Sequence, residues 1–372
     1  DQIPDILDEA MWGAQYLQKC ILPNGTIIGS LVGKTLQFVA PELDTDQING
    51  TADDRFIDPT DPVASPSECM WIAAGFAKLA LIANQTGFFG SDDSWLLATA
   101  EGIYANYSNH YDTYAASWSA PDAAPFLAAS ADLAKLDPAA AYAQNATWAA
   151  IAMANDLNGQ NTDSNTLGDT DRALGMVIEW ATANGSAPAL AMANAIVNHW
   201  WSAIWAPDLA DPANFYSITR FYANQGNSGE WVYVQNGLGT NSFFLYNLYA
   251  LALSDNLTGG TIPGMRQLIG GLLDWMYGQN PDGICMEESV GTTNLPAYLS
   301  RLMFCRNNPR GAVPGEVPNG YFEKNGVPYV DLSDVGVGSA AIQNADFNSN
   351  EPWLPHNVAL LHALSVLTSV YT

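Results

Sequence analysis

Apolar residues recur at three- and four-residue steps along most of the chain, and that spacing predicts helices. In "IPDILDEAMWGAQYLQKC" the positions Ile6, Leu7, Ala10, Met11, Ala14 and Leu17 form one stripe, read as a buried face. "SPSECMWIAAGFAKLALIAN" opens with Ser65 as cap, Pro66 at the first helical position and Glu68 completing a capping box. Further helices are predicted near 92–108, 123–135, 138–156, 169–184, 187–205, 241–255, 262–279 and 356–370. Strand signals are sparse. The segments 21–64, 206–240 and 281–355 are long and rich in Gly, Asn, Asp and Pro, and loops of that length in a compact domain usually carry function. Helices joined alternately by short and long loops predict an all-α fold, a toroid of stacked helical hairpins whose loops gather at one end. One domain or two would suit 372 residues; with no low-complexity linker, a single domain over 1–372 is preferred.

Composition narrows the partners. Acids outnumber bases 38 to 12, giving a formal net charge of -26, so nucleic acid and anionic membrane surfaces are excluded as partners. No run approaches the roughly 20 apolar residues of a membrane span, and the chain reads as soluble and trimmed of any signal peptide. Glycosylation triplets N-x-S/T begin at Asn24, Asn49, Asn84, Asn106, Asn145, Asn184 and Asn256. With low Lys and high acid they favour a secreted, extracellular glycoprotein carrying N-linked glycans. Cys20, Cys69, Cys285 and Cys305 suit that compartment and lack zinc spacing. Of three pairings, Cys285–Cys305 and Cys20–Cys69 are preferred, the first closing a short loop and the second joining consecutive helices.

Glu351 is the first candidate for chemistry. It lies between Asn350 and Pro352, just ahead of "HNVALLHALSVL", and Pro352 and Pro355 forbid a regular helix across it. A helix-start or loop-capping carboxylate and an active-site acid are both open to it. Glycoside hydrolysis would need a second carboxyl group. The stretch "ELDTDQINGTADDRFIDPTDP" offers Asp44, Asp46, Asp53, Asp54, Asp58 and Asp61, most of which read as a solvated or calcium-binding loop, and any of which could serve as a base only if the fold aims it into the cleft. Tyr216, Phe221, Tyr222, Trp231 and Tyr233 crowd a Gly- and Asn-rich segment without helical spacing, as stacking platforms for sugar rings do. His110, His199, His356 and His362 show no metal spacing, and no phosphate loop or G-x-S-x-G elbow is present.

These residues resemble glycoside hydrolase family 9. The family places its proton donor in a D-Y/F-x-x-N-E segment followed six residues later by Asn, and "DFNSNE" with Asn357 matches it. "IPDILDEAMWGAQYLQK", "RFIDPTDPVASPSECMWIAAGFAKLA", "GLGTNSFFLYNLYALA", "LLDWMYGQNPDG" and "GAVPGEVPNGY" are similar to further family segments in the same order. The resemblance runs from near residue 3 to near residue 366 and implies a six-hairpin (α/α) barrel of an inverting β-1,4-glucanase. It implies Glu351 as general acid, with Asn241, Asp346 and Arg301 added to Tyr222, Trp231 and Tyr233 as substrate-binding positions. The family's D-A-G-D aspartates, which activate the attacking water, precede the first matched helix, and the P-H-H-R run has become "PAYLSR". The expectation is therefore a barrel of about five hairpins with Asp53 or Asp54 as stand-in base. A separate N-terminal segment or self-assembly would fill the gap.

The function expected is hydrolysis of a β-1,4-linked glucan or related polysaccharide, with an acidic optimum, no required cofactor and a structural calcium on the Asp-rich loop. The alternative is an inactive carbohydrate-binding or structural glycoprotein on the same fold, for which reducing ends would not accumulate.

Overall fold

In a computed structural model of the chain, the residues described are 3–33, 54–88, 94–114, 118–138, 141–160, 168–212, 214–219, 241–305, 307–324, 327–333 and 346–371. They fall into two compact units, one within Asp1–Gln37 and Asp46–Asp156, the other within Leu157–Thr372. The class is all-α, and consecutive helices pack on each other as hairpins.

The first unit holds α1 (Asp5–Lys19), α2 (Pro66–Thr86), α3 (Ser94–Tyr114), α4 (Ala120–Leu136) and most of α5 (Tyr142–Gly159). Helix α2 begins as the capping box requires: the Ser65 amide donates to Glu68 Oε2 at 2.7 Å and the Glu68 amide to Ser65 Oγ at 3.3 Å. It ends at Gly87 with φ 68°, a left-handed cap that glycine adopts without strain. By length and composition α2 could cross a bilayer, contrary to the reading that no segment is apolar enough. It is instead a core helix, because Met70, Ala73, Phe76, Ala77 and Leu81 are buried and it packs against both α3 and α4. Tyr111 and Phe126 stack at 4.5 Å between ring centres, with Trp118 edge-on to both.

Helix α1 departs from expectation. Of its stripe only Ala14 is fully buried, while Ile6 is 63% exposed. The stripe packs chiefly on α2, and its other members are left partly or fully exposed. Among the described residues the strands form two short antiparallel pairs, β1 (Leu31–Gly33) with β2 (Arg55–Ile57) and, in the second unit, β3 (Phe322–Lys324) with β4 (Val327–Tyr329).

The second unit is built around α9 (Asn241–Leu257), which is buried nearly all round, as expected of a central helix. It packs against α6 (Asp169–Asn184), α10 (Met265–Met276) and the last helix, Leu354–Tyr371. Helix α7 (Ala187–Trp200) continues through a π-helical turn, Trp201–Trp205, into α8 (Ala206–Ala210). At the far end of α9, Asp255 Oδ2 accepts from Arg266 Nε at 2.9 Å and from the Tyr371 hydroxyl at 2.8 Å, tying α9, α10 and the last helix together.

None of the four cysteines forms a disulfide, so the Cys20–Cys69 and Cys285–Cys305 pairings are not made. Cys69 Sγ is directed instead at Ala64 O (3.6 Å) and Cys285 Sγ at Glu287 O (3.4 Å). Burial pushes both thiols up.

Candidate active site

Glu351 sits where two turns and a loop are laced together. Asp346 caps a short helical turn, Phe347–Asn350, its Oδ1 accepting from the Asn348 amide at 3.0 Å. Four residues give no periodic signal, so this turn is not legible in the sequence. The chain then runs extended through Glu351 (φ -80°, ψ 121°) and Pro352 before the last helix starts at Leu354. Pro355 falls in the first turn of that helix, where its missing N–H costs no hydrogen bond.

Three consecutive carbonyls are held from outside. Ser349 O accepts from the Gly320 amide (2.9 Å), Asn350 O from the Leu299 amide (3.0 Å), and Glu351 O from the Asn319 amide (2.9 Å). The Asn350 side chain, fully buried, adds Nδ2 bonds to Ala297 O (3.0 Å) and Asp331 O (2.9 Å), while Ser349 Oγ donates to its Oδ1 (2.5 Å). Asp331 Oδ2 accepts the Asp346 amide at 3.1 Å. Burial raises the pKa of Asp331, but bonds from Ser333, Asp346 and Tyr329 outweigh it and hold the carboxyl below its ordinary value.

Loop 312–321 supplies two of the three clamping amides, those of Asn319 and Gly320. Gly320 has φ +85° and a Cβ there would meet the Asn241 side chain at 2.5 Å, so only glycine fits. Asn241, expected to bind substrate, is fully buried: its amide donates to Asn319 O (3.1 Å) and its Nδ2 to Pro318 O (2.9 Å), fastening the loop to the start of α9. Asn357 fixes the same loop through the Val317 amide (3.4 Å) and Gly315 O (2.9 Å). Glu316, 8% exposed, accepts the Val313 amide at 2.8 Å, and its pKa rises to about 7 through burial. Beside it Arg310 makes a bidentate pair with Glu288 at 3.2 and 2.9 Å.

Against this frame the Glu351 carboxyl group is partly exposed and takes no hydrogen bond or ion pair from any described residue. Phe347 (53% exposed) and Trp353 (36%) flank it in sequence. The site is thus a multiply hydrogen-bonded backbone that presents the Glu351 carboxyl group.

The other expected positions are distributed as follows. Tyr222, Trp231, Tyr233, Phe221, Asp53, Asp44, Asp46 and Asn49 lie outside the described residues. Arg301 opens a 3₁₀ turn, Arg301–Phe304. Asp54 precedes β2 in the first unit, and Tyr216 packs edge-on against Trp275 at 5.2 Å. No group of His, Cys, Asp or Glu suited to a metal ion is found among the described residues. Asn24, Asn84, Asn106, Asn184 and Asn256 are exposed, whereas Asn145 is half-buried and spends its Nδ2 on Tyr104 Oη at 2.9 Å. A depression of about 550 Å³, lined by Asp8, Glu9, Met11, Trp12 and Gln15, involves only α1.

Sequence reading missed Asn319, Gly320 and His356. "PNG" announces a tight turn, but nothing local announces that this turn grips residues 349–351.

Comparison with known proteins agrees with the fold. The profile described as Glycosyl hydrolase family 9 matches residues 1–357. Among solved structures, the Bacteroides ovatus GH9 protein aligns with a TM-score of 0.66 at 15% identity, over 100% of this chain and 64% of its own. A termite endoglucanase from Nasutitermes takasagoensis gives 0.64 at 16%, over 98% and 79%, and the cellulase Cel9M of C. cellulolyticum gives 0.63 at 14%, over 98% and 78%. The chain thus spans less than two thirds of the first of these and about four fifths of the others. No curated protein matches the sequence. These structures share the all-α helical-hairpin fold, and with a profile match over nearly its whole length the chain belongs to glycosyl hydrolase family 9.

Proposed function

We propose that this chain hydrolyses a β-1,4-linked glucan or a related polysaccharide by an inverting mechanism in which Glu351 is the general acid. The observation that carries the reading is the clamp: three successive carbonyls around Glu351 are fixed by amides from two loops, while no described residue engages its carboxyl group. Such a group can reach a glycosidic oxygen without first breaking a bond of its own. Rigid placement matters because displacement of a catalytic group by about 1 Å can cost roughly 10²-fold in rate. An inverting hydrolase pairs the acid with a second, ionised carboxylate that activates water.

Family membership and the relatives support this substrate class. The AaCel9A structure is a complex with a cellobiose-like isofagomine, and that of CelQ from Clostridium thermocellum is a complex with cellotriose. Secretion, with glycans on the exposed asparagines, is part of the same proposal, as is a structural calcium on the Asp-rich loop.

The test is to incubate the protein with cello-oligosaccharides and follow both reducing ends and the anomeric protons by NMR. The reading predicts reducing ends that accumulate with time, with the α-anomer appearing first. A β-anomer first would overturn inversion. Oligosaccharide binding without product would overturn hydrolysis and favour the binding-protein alternative.

A further inference from the structure

We propose that His356 is a positioning residue for Glu351 that acts through Asn319; the inference rests on the reading of Glu351 as the acid. His356 stands in the first turn of the last helix and is fully buried. Its Nε2 lies 2.6 Å from Asn319 Oδ1. The amide of Asn319 has its orientation set by a second bond, Nδ2 to Phe347 O at 2.7 Å, so the oxygen faces the ring. An amide oxygen only accepts, and His356 therefore carries its proton on Nε2. Its Nδ1 is buried with no partner, as an unprotonated ring nitrogen can be at lower cost than a charged ring. Burial pushes the pKa of His356 down to about 4, in keeping with that neutral tautomer.

Asn319 is the hub of the clamp. Its amide holds Glu351 O (2.9 Å), its carbonyl takes the Asn241 amide (3.1 Å), and its side chain bridges Phe347 O to His356. All four bonds converge on one residue, and the next amide, that of Gly320, holds Ser349 O. The Asn319 side chain is fixed at both ends only while His356 donates. Without that donor, Oδ1 is left buried and unpaired, and turning the amide to find another donor would give up the bond to Phe347 O. Either response loosens the peptide whose N–H groups set the path of residues 349–351. The histidine thus touches no substrate and serves only to place the acid.

The experiment compares His356→Leu, which keeps an apolar filling but removes the donor, with His356→Gln, whose side-chain amide can donate to Asn319 Oδ1. Two readouts are taken on each protein: amide hydrogen exchange at Asn319 and Gly320, and kcat and KM on a cello-oligosaccharide. We expect His356→Leu to speed exchange at those two amides without changing exchange in α3 or α4. We expect it to lower kcat by about 10- to 100-fold with KM little changed. His356→Gln should restore both. Unchanged exchange at Asn319 and Gly320 in His356→Leu, or a kcat equal to the parent's, would overturn the proposal. So would a loss spread evenly over all helices and not relieved by Gln. Exchange at the two amides reads the positioning even if Glu351→Gln proves active, so failure of the acid assignment and failure of the positioning remain distinguishable.

Discussion

Replacing Glu316 with Gln should stabilise the protein above neutral pH and do nothing below pH 4.5. Glu316 is buried in the loop that clamps Glu351, its Oε1 taken by the Val313 amide. Burial raises its pKa from 4.5 to about 7; nearby Glu288 adds to the rise, while the Val313 bond and Arg310 partly oppose it. The folded state therefore binds a proton that the unfolded chain has released. This contribution to stability is full below pH 4.5 and is lost as pH rises through about 7. A shift of this size is worth at most about 3 kcal/mol, at roughly 1.4 kcal/mol per pH unit across the window. Gln keeps the acceptor for Val313 and cannot ionise, so it imitates the protonated acid at every pH. His356, with its pKa held down at about 4 by burial, gives the opposite slope, losing stability as pH falls from 6.5. Taking variant minus parent removes that contribution. Urea denaturation of both proteins at pH 4.5, 6 and 8 should give a difference near zero, then growing, then level at up to about 3 kcal/mol. A difference independent of pH would refute the reasoning.

Asn350→Ala should cost about 2–4 kcal/mol by denaturant titration, because it strips the buried Ala297 and Asp331 carbonyls of their donor. Tyr371→Phe should cost about 1–2 kcal/mol by the same measurement, since buried Asp255 keeps Arg266 but loses its hydroxyl donor. Alkylation in denaturant without reductant should label all four cysteines; labelling of two or none would show that disulfides form. In the native protein Cys69 and Cys285 should react slowly, both being buried with their thiols pushed up.

What could be read in advance was whatever is encoded locally. The Ser65–Glu68 box with Pro66 behind its cap is a pattern within one turn, and it emerged as expected. Glu351 could be singled out as a candidate because Asn350, Pro352 and Pro355 lie near it in sequence. Ile6 misled because periodicity gives the direction of a face but not whether anything covers it. The clamp was illegible for a deeper reason. His356 and Asn319 are 37 positions apart, and Asn350 reaches Ala297 across 53. A buried asparagine looks in sequence like any loop asparagine, and only the fold shows that Asn241, Asn319 and Asn350 are fasteners.

The central claim, that Glu351 delivers a proton to the leaving group, is tested most directly by Glu351→Gln on two substrates. One is a cello-oligosaccharide, whose sugar leaving group needs a proton; the other is a dinitrophenyl cellobioside, whose leaving group does not. The account predicts a loss of roughly 10²–10⁴-fold on the first with most activity kept on the second. Equal loss on both, or full activity on the oligosaccharide, would contradict it.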